Sequence, residues 1–430
     1  MPPTVHKWQK EWQNKSDQWE RQWPEWRPVR FLGRGGTGTV GLWEGIYEGV
    51  KRNVVVKQIG YGDIDALGFE RGKRVRTPIL DRRSAETEST IMETSQRNNG
   101  TDHIVKIYEK AHLTQGTGTH RTADPKNKKT PVIRMFMEYC DQGDLFRFLE
   151  ENADENSPIY AESSIWAVWE CLARALVVLE HGCEDPDTHI PDPNWRPIAH
   201  FDIKPENIFR GGDDIQDPNA HSRPLGIFKL GDFGLAKVVP VQQTEEWFEG
   251  VRWRGTPGWH APEAMHQGTE KKIIGQSTNT FAMAKVIYFM VTNKELDITK
   301  RINFTNPDLA NAVSFYTYGT SLIGPDASAY SKKLRTLLLR CLAHDQENRP
   351  AALPLLKEIF EVRRDYADHP TDEPSSVPGR PPPSFFDPED PFKGMDVRLP
   401  YQKIAEPKEF EVTNRSFGSY HSLSGNHYDP

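Results

Sequence analysis

The sequence predicts an α+β chain in two lobes, a small β-rich lobe with one main helix followed by a larger α-helical lobe, and three observations carry that expectation. A glycine-rich run, FLGRGGTGTV, sits between apolar residues near the N-terminus. A β-branched run, NVVVKQI, follows it with a single lysine inside. Much later come two short segments dense in acid and amide, IAHFDIKPENIF and IFKLGDFGLAK.

Each element has a physical reading of its own. Gly33, Gly35 and Gly38, followed by Val40, stand in G-x-G-x-x-G-x-V spacing; residues without a Cβ let backbone N–H groups come close to an anion. Alone, the run reads better as a plain glycine-rich turn. Lys57 is an isolated cation in a strand-like stretch, and a buried lysine needs a partner. In ETESTIM, Glu88 precedes Ile91 and Met92 by three and four residues, which puts all three on one side of a helix. Glu86 and Glu93 are its rivals, and each reads alternatively as a solvated helix carboxylate. MFMEYCDQGDLFRFL runs from a strand into a helix. In IAHFDIKPENIF, Asp202, Lys204 and Asn207 alternate with apolar residues, and IFKL leads as an apolar strand into Asp232. GTPGWHAPE and CLAHDQENRP add a distant acid and base, Glu263 and Arg349.

Six motifs in this order, from about Phe31 to Phe360, resemble the eukaryotic-type protein kinase family, in its serine/threonine branch. The resemblance implies a bilobal protein kinase fold over residues 28–365, with the small lobe to about 139 and the large lobe from about 140. It implies ATP and Mg2+ as cofactors and protein serine or threonine hydroxyls as substrate. By the same resemblance Asp202 is the base, Lys204 neutralises the moving phosphoryl group, Lys57 holds the inner phosphates and pairs with Glu88, and Thr256 contacts Asp202 and Lys204. Asn207 and Asp232 are the metal ligands. The nucleotide cleft would be lined by Gly33, Gly35, Gly38, Val40, Val55, Lys57 and Phe209, with Met137 as gatekeeper, backbone groups from Glu138 to Cys140 facing adenine, and Asp144 reaching the ribose. Asp144 and Glu206 would favour basic residues before the phosphoacceptor.

Four departures from the family pattern define alternatives. Phe201 replaces the arginine that usually precedes the catalytic aspartate, which makes the chain a non-RD variant. Without that arginine a phosphorylated activation loop lacks its cationic anchor, so control by loop phosphorylation is not expected. Thr244 is the one hydroxyl residue between Asp232 and Gly255. Val55 and Phe209 are larger than the usual lining of the adenine site, and Asn279 replaces an aspartate that accepts N–H bonds from the catalytic loop. These changes motivate a second reading, a pseudokinase scaffold. A third, a small-molecule phosphotransferase, is disfavoured by GTPGWHAPE, a peptide-presenting element.

The 430 residues exceed one ordinary core. Polar inserts are expected at Tyr61–Glu86, His112–Pro131, Gly182–Pro197 and Gly211–Gly226, all rich in loop-forming residues. A net charge of −7 gives no footprint for nucleic acid, although Glu70–Arg83 concentrates positive charge. Four cysteines without C-x-x-C spacing and the lack of a long apolar stretch point to a reduced, soluble, intracellular protein, cytoplasmic or nuclear, without a membrane partner. Residues 1–27 form a Trp-rich extension in which Trp8, Trp12, Trp19 and Trp23 share one helical face that Trp26 extends beyond the helix-breaking Pro24. That ridge either packs on the small lobe or receives a regulatory partner. Residues 366–430 are Pro-rich and expected to be extended.

Overall fold

The computed structural model describes residues 25–368 apart from 36–37, 48, 61–68, 71–72, 75–81, 97–100, 115–130, 152–159, 186–193, 212–224, 266–272, 306–313 and 325–326, together with 9, 10, 12, 13 and 16. The protein has the bilobal α+β architecture expected, with an antiparallel five-stranded sheet in the small lobe and a mainly helical large lobe. Strands β1 (Trp26–Gly35), β2 (Gly38–Tyr47) and β3 (Val50–Gly60) are followed by a short hairpin, β4 (Phe69–Glu70) and β5 (Lys73–Arg74). Helix α1 (Arg82–Gln96) and strands β6 (Ile107–Thr114) and β7 (Pro131–Glu138) complete the lobe. The sheet order is β1-β2-β3-β7-β6.

The β-branched run of β3 lies in the middle of this sheet, where Val54 and Val56 are buried and such side chains pack well. Its register sets the cleft: Lys57 lies opposite Val40 on β2 and Met135 on β7, and Val55 opposite Met137. The start of β2 requires glycine at Gly38, whose φ is +147° and where a Cβ would stand 2.4 Å from the Gln58 carbonyl oxygen.

The large lobe is built on two helices buried on nearly all sides, α3 (Glu162–His181) and α6 (Gln276–Thr292), with α2 (Leu145–Glu151), α7 (Lys332–Cys341) and α8 (Ala352–Asp368) around them. Helix α3 ends at Gly182, whose left-handed backbone (φ 80°) lets its N–H reach the Val178 carbonyl. Two-residue and four-residue strands bring the catalytic segments to the cleft side of these helices: β8 (Ile198–Ala199) pairs with β11 (Lys237–Val238), and β9 (Ile208–Gly211) with β10 (Ile227–Leu230). Helices α4 (Glu245–Val251) and α5 (Pro262–Met265) and the hairpin β12 (Ile302–Thr305) and β13 (Ser314–Thr317) complete the lobe. The lobes are stitched by backbone bonds from Val105 N–H to the Leu230 carbonyl (3.0 Å) and from Leu230 N–H to the His103 carbonyl (2.8 Å).

Several expectations need correction. Trp26 does not extend a helical face: it begins β1, opposite Gly45, and its ring packs 5.4 Å from that of Phe136. Strand pairing with β2 satisfies its backbone, which a helix broken by proline would not. The insert expected to end at Glu86 ends earlier, because α1 begins at Arg82. The one placed at His112–Pro131 is shorter too, since β6 continues to Thr114 and β7 begins at Pro131. Trp12 is buried against the small lobe itself, edge-on to Trp43 at 6.4 Å and tilted against Phe31 at 6.1 Å, while its helical neighbours Gln9, Lys10 and Gln13 are exposed. Trp8, Trp19, Trp23, most of the basic run and the Pro-rich tail lie outside the described residues.

Candidate functional site

Between the lobes, Lys57 stands at the centre of a buried ionic cluster. Its Nζ donates to Glu88 Oε1 at 2.7 Å and to Asp232 Oδ1 at 2.7 Å. Glu93 instead accepts from Lys110, and the side chain of Glu86 lies outside the described residues. Burial works against the charge on Lys57, but the two carboxylates outweigh it and hold its pKa above the ordinary lysine range. Burial likewise opposes ionisation of Asp232, yet Lys57 keeps it below the usual carboxylate range. Glu88 is pushed up, by burial first and then by the charge of Asp232. One cation facing two carboxylates leaves this corner of the cleft net negative.

Asp232 adopts a left-handed backbone (φ 54°), which turns the chain so that Phe233 points inward while the carboxylate points at Lys57. Phe233 is fully buried, edge-on to His200 at 4.8 Å, and the Phe233–Leu235 turn packs against α1, the helix that carries Glu88. His200 anchors the next turn: its Nδ1 accepts from Asp202 N–H (3.2 Å) and its Nε2 lies 3.1 Å from the Gly231 carbonyl oxygen. Burial lowers its pKa, so the ring is neutral and can accept at Nδ1 while donating at Nε2.

The carboxylate of Asp202 is held on every side. Its Oδ1 accepts from the Thr256 hydroxyl (2.6 Å) and backbone N–H (2.9 Å), and its Oδ2 from Asn207 Nδ2 (2.9 Å), with Lys204 Nζ at 3.4 Å. Lys204 also donates to the Thr256 hydroxyl (2.7 Å), and Asn207 Nδ2 to the Asp202 carbonyl (2.8 Å). With the amide nitrogen of Asn207 turned to Asp202, its oxygen is the half left to face elsewhere. Asn279 binds the loop through both halves of its amide, accepting from His200 N–H (3.0 Å) and donating to the Ile198 carbonyl (2.7 Å). An aspartate could make the first bond but not the second. Farther out, Arg349 and Glu263 form a bidentate pair at 2.8 and 3.0 Å, almost wholly buried, which fixes the end of the GTPGWHAPE segment.

At the edge joining the lobes, Gly33 lies opposite Val40 across β1 and β2, and Gly35 opposite Gly38. Met137 is buried, and Val55 and Phe209 are half-buried against the main core. Glu138 is more committed than expected. Its N–H donates to the Lys106 carbonyl (2.8 Å), so that donor does not face a ligand, and its carboxylate accepts from the buried Lys229 (2.6 Å) and from Lys106 N–H (3.2 Å). Cys140 is buried and its carbonyl accepts from Gly143 N–H, and burial keeps the thiol well above its usual range. Asp144 accepts from Arg147 N–H (2.8 Å) and so caps α2; burial, followed by the charge of Glu206, raises its pKa. Phe209 packs its ring against Gly231, where a Cβ would lie 2.8 Å away.

A family model for the protein kinase domain matches residues 26–360. The chain belongs to the protein kinase family. It is 27% identical to the G2-specific protein kinase nim-1 of Neurospora crassa over 307 residues, 66% of this chain and 30% of that protein. It is 25% identical to serine/threonine-protein kinase Nek9 of Mus musculus over 335 residues, 77% of this chain and 26% of that protein. It is also 26% identical to the LEAF RUST 10 disease-resistance locus receptor-like protein kinase-like 2.1 of Arabidopsis thaliana, over 68% of this chain and 40% of that protein. The chain thus spans well under half the length of these relatives.

Sequence reasoning missed three kinase-domain residues that shape the site. Lys229 carried the same signal as Lys57, a lone cation in an apolar strand, and its partner Glu138 was assigned elsewhere. His200 offered no local pattern for the two bonds it makes. Lys285, inside the apolar run AMAKVIYFM, donates to the Gly258 carbonyl beneath the GTPGWHAPE segment, and burial lowers its pKa to about 8.

Proposed function

We propose that this chain is a serine/threonine protein kinase that transfers the γ-phosphoryl group of ATP, with Mg2+, to hydroxyls of protein substrates. The observation that carries the reading is the meeting of Lys57, Glu88 and Asp232 on one side of the cleft with the Asp202, Lys204, Asn207 and Thr256 network on the other.

The donor set suits a hard divalent cation. Asp232 and Asn207 offer oxygen ligands, and the ionic cluster beside Asp232 has negative charge to spare. Among the described residues no group of three or more His, Cys, Asp or Glu side chains could hold a metal unaided. A cation here would therefore take the rest of its shell from phosphate and water, as Mg2+ does. When bound, Mg2+ neutralises phosphate charge.

Every other part belongs to the protein. Lys57, kept charged by its two partners, is placed to bind inner phosphates. Asp202, fixed by Thr256 and Asn207, orients the substrate hydroxyl and takes its proton, and Lys204 supplies positive charge where the phosphoryl group moves. Lys204, two residues after the base and bonded to Thr256, supports serine/threonine specificity, as do the names of the relatives. Asp144 and Glu206 are close enough for their charges to interact, and this paired negative charge supports a preference for basic residues before the phosphoacceptor.

Activity here is independent of activation-loop phosphorylation. Phe201 offers no charge to a phosphate, and the Thr244 hydroxyl is engaged in capping α4, where it accepts from Trp247 N–H (3.2 Å). Transfer from radiolabelled ATP to a protein substrate, comparing wild type with Asp202→Asn, tests the proposal. A fall of about 10²–10⁴-fold is expected, and equal signals would instead favour the scaffold reading.

A further inference from the structure

Phe201 combines three unusual properties. It is a bulky aromatic with a left-handed backbone, φ 68°, immediately before Asp202. Such a conformation costs conformational energy in any residue with a side chain and persists only where surroundings impose it. Its carbonyl is closely approached by Gly255, where a Cβ would come within 2.1 Å of that oxygen and where φ is +117°. Its ring is buried, 9% exposed, in an apolar cluster separate from the main core.

The membership of that cluster is informative. Phe201 and Ala199 come from the catalytic loop, Val251 from α4, Ala264 from α5 and Ile274 from the chain beyond. Leu235, Val239, Trp247 and Phe248 pack on its edge. The stretch from Asp232 to Glu263 therefore returns to Phe201 several times. Polar ties are made around the same centre: Val239 N–H to the Pro197 carbonyl (2.7 Å), Arg254 Nε to the Leu235 carbonyl (2.6 Å), and Gln243 to both backbone groups of Ile274 (2.6 and 2.9 Å). The very next residue after Gly255 is Thr256, whose N–H and hydroxyl both bond Asp202, so whatever holds Gly255 also sets the Thr256 hydroxyl.

We propose that Phe201 is a positioning residue: its ring, sunk in this apolar cluster, clamps the 235–255 segment onto the catalytic loop and so fixes Thr256 against Asp202. This deepens the kinase reading and rests on it, because the clamp does by burial what a phosphate and an arginine would do by charge. Its predicted effect is on the protein-substrate side of the site. The cluster shares no residue with the Lys57, Glu88 and Asp232 group.

The test compares full-length wild type with Phe201→Ala, Phe201→Gly, Phe201→Leu and Val251→Ala. Peptide phosphorylation kinetics, affinity for a fluorescent ATP analogue, and the rate of tryptic cleavage at Lys237, Arg252 and Arg254 are read for each. Phe201→Ala and Phe201→Gly should raise peptide KM by about tenfold or more and speed cleavage, with nucleotide affinity within about twofold of wild type. Phe201→Leu should recover most of the loss, and Val251→Ala should shift KM and cleavage in the same direction by less. Glycine is the decisive variant, since it relieves the left-handed backbone while removing the ring. Wild-type KM and protease resistance in Phe201→Gly would overturn the clamp, as would nucleotide affinity falling in step with peptide affinity. If wild type transfers no phosphate, the kinase reading fails, and the cleavage rates still decide whether Phe201 holds the segment.

Discussion

The two sides of the catalytic cleft are built from opposite chemistry. On the nucleotide side, Lys57, Glu88 and Asp232 form a buried ionic group in which every member depends on the others for its charge state. On the side that carries residues 235–255, the centre is the Phe201 ring, packed among apolar side chains, with neutral backbone acceptors taking the polar ties around it. Charge is directional and costly to bury, and it is concentrated where a charged ligand must be met. Apolar packing has no charge for ions to screen or a phosphate to pair with, and it is used where a segment must simply stay in place. On the proposed reading, the competence of the site would be set by folding instead of by later modification.

The comparison breaks most sharply at Lys57. Lys57→Met should leave the buried Glu88 carboxylate without its cation beside the partly exposed Asp232, destabilising the protein by about 3–5 kcal/mol and abolishing measurable ATP binding, as thermal denaturation and nucleotide titration would show. Retained nucleotide affinity would mean that the ionic group is architectural only. Next in size is Arg349→Lys. Arg349 makes the bidentate pair with Glu263 and also donates to the carbonyls of Ala343, Ser277 and His344. A lysine cannot reproduce that fork, so a loss of about 2–4 kcal/mol is expected, with unchanged stability in chemical denaturation counting against an ionic anchor for the segment's far end.

Asn279→Asp sharpens the contrast more finely. The change introduces a charge into a neutral brace, removes the donor to the Ile198 carbonyl and should cost about 1–3 kcal/mol. A stabilised variant would show that the loop prefers an anionic acceptor.

The smallest effect is a pH dependence from a second buried ion pair, outside both groups. His103, beside the bonds that stitch the lobes, is buried, which opposes its charge, but Glu184 at 2.9 Å overcomes that and raises its pKa to about 10. Its folded-state pKa lies above its unfolded value near 6.5, so its stabilising contribution is complete below pH 6.5 and disappears as pH rises through about 10. The Tm difference between wild type and His103→Gln should therefore shrink across that window. A constant difference would remove the charge from the account.

Much of the nucleotide side was legible in the sequence because each group sits in a short contiguous motif with a chemical reason for its spacing. Lys57 needed an acid, and the helical spacing of Glu88 with Ile91 and Met92 offered one. The part that escaped is distributed. The residues around Phe201 come from separate stretches, none with a pattern of its own, so its substitution for arginine read as a loss of function and not as the centre of a cluster. Asp144 also caps α2, and an acid directly before the apolar run LFRFL is a helix-capping signal that the sequence reading left unused. Trp26 was drawn into a helical face by its spacing alone, and strand pairing with Gly45 overrode it.

The docking of Trp12 bears on where this enzyme's folded unit begins. Its indole lies so close to Gly41 that a Cβ there would be 2.4 Å from the ring, and Gly41 immediately follows Val40 on the strand over the nucleotide site. A recombinant fragment trimmed to start at β1 would strip a wall from that strand and expose Trp43 and Phe31 to solvent. Trimming for crystallisation or display should therefore keep the residues around Trp12, since the boundary suggested by family similarity falls inside the hydrophobic unit.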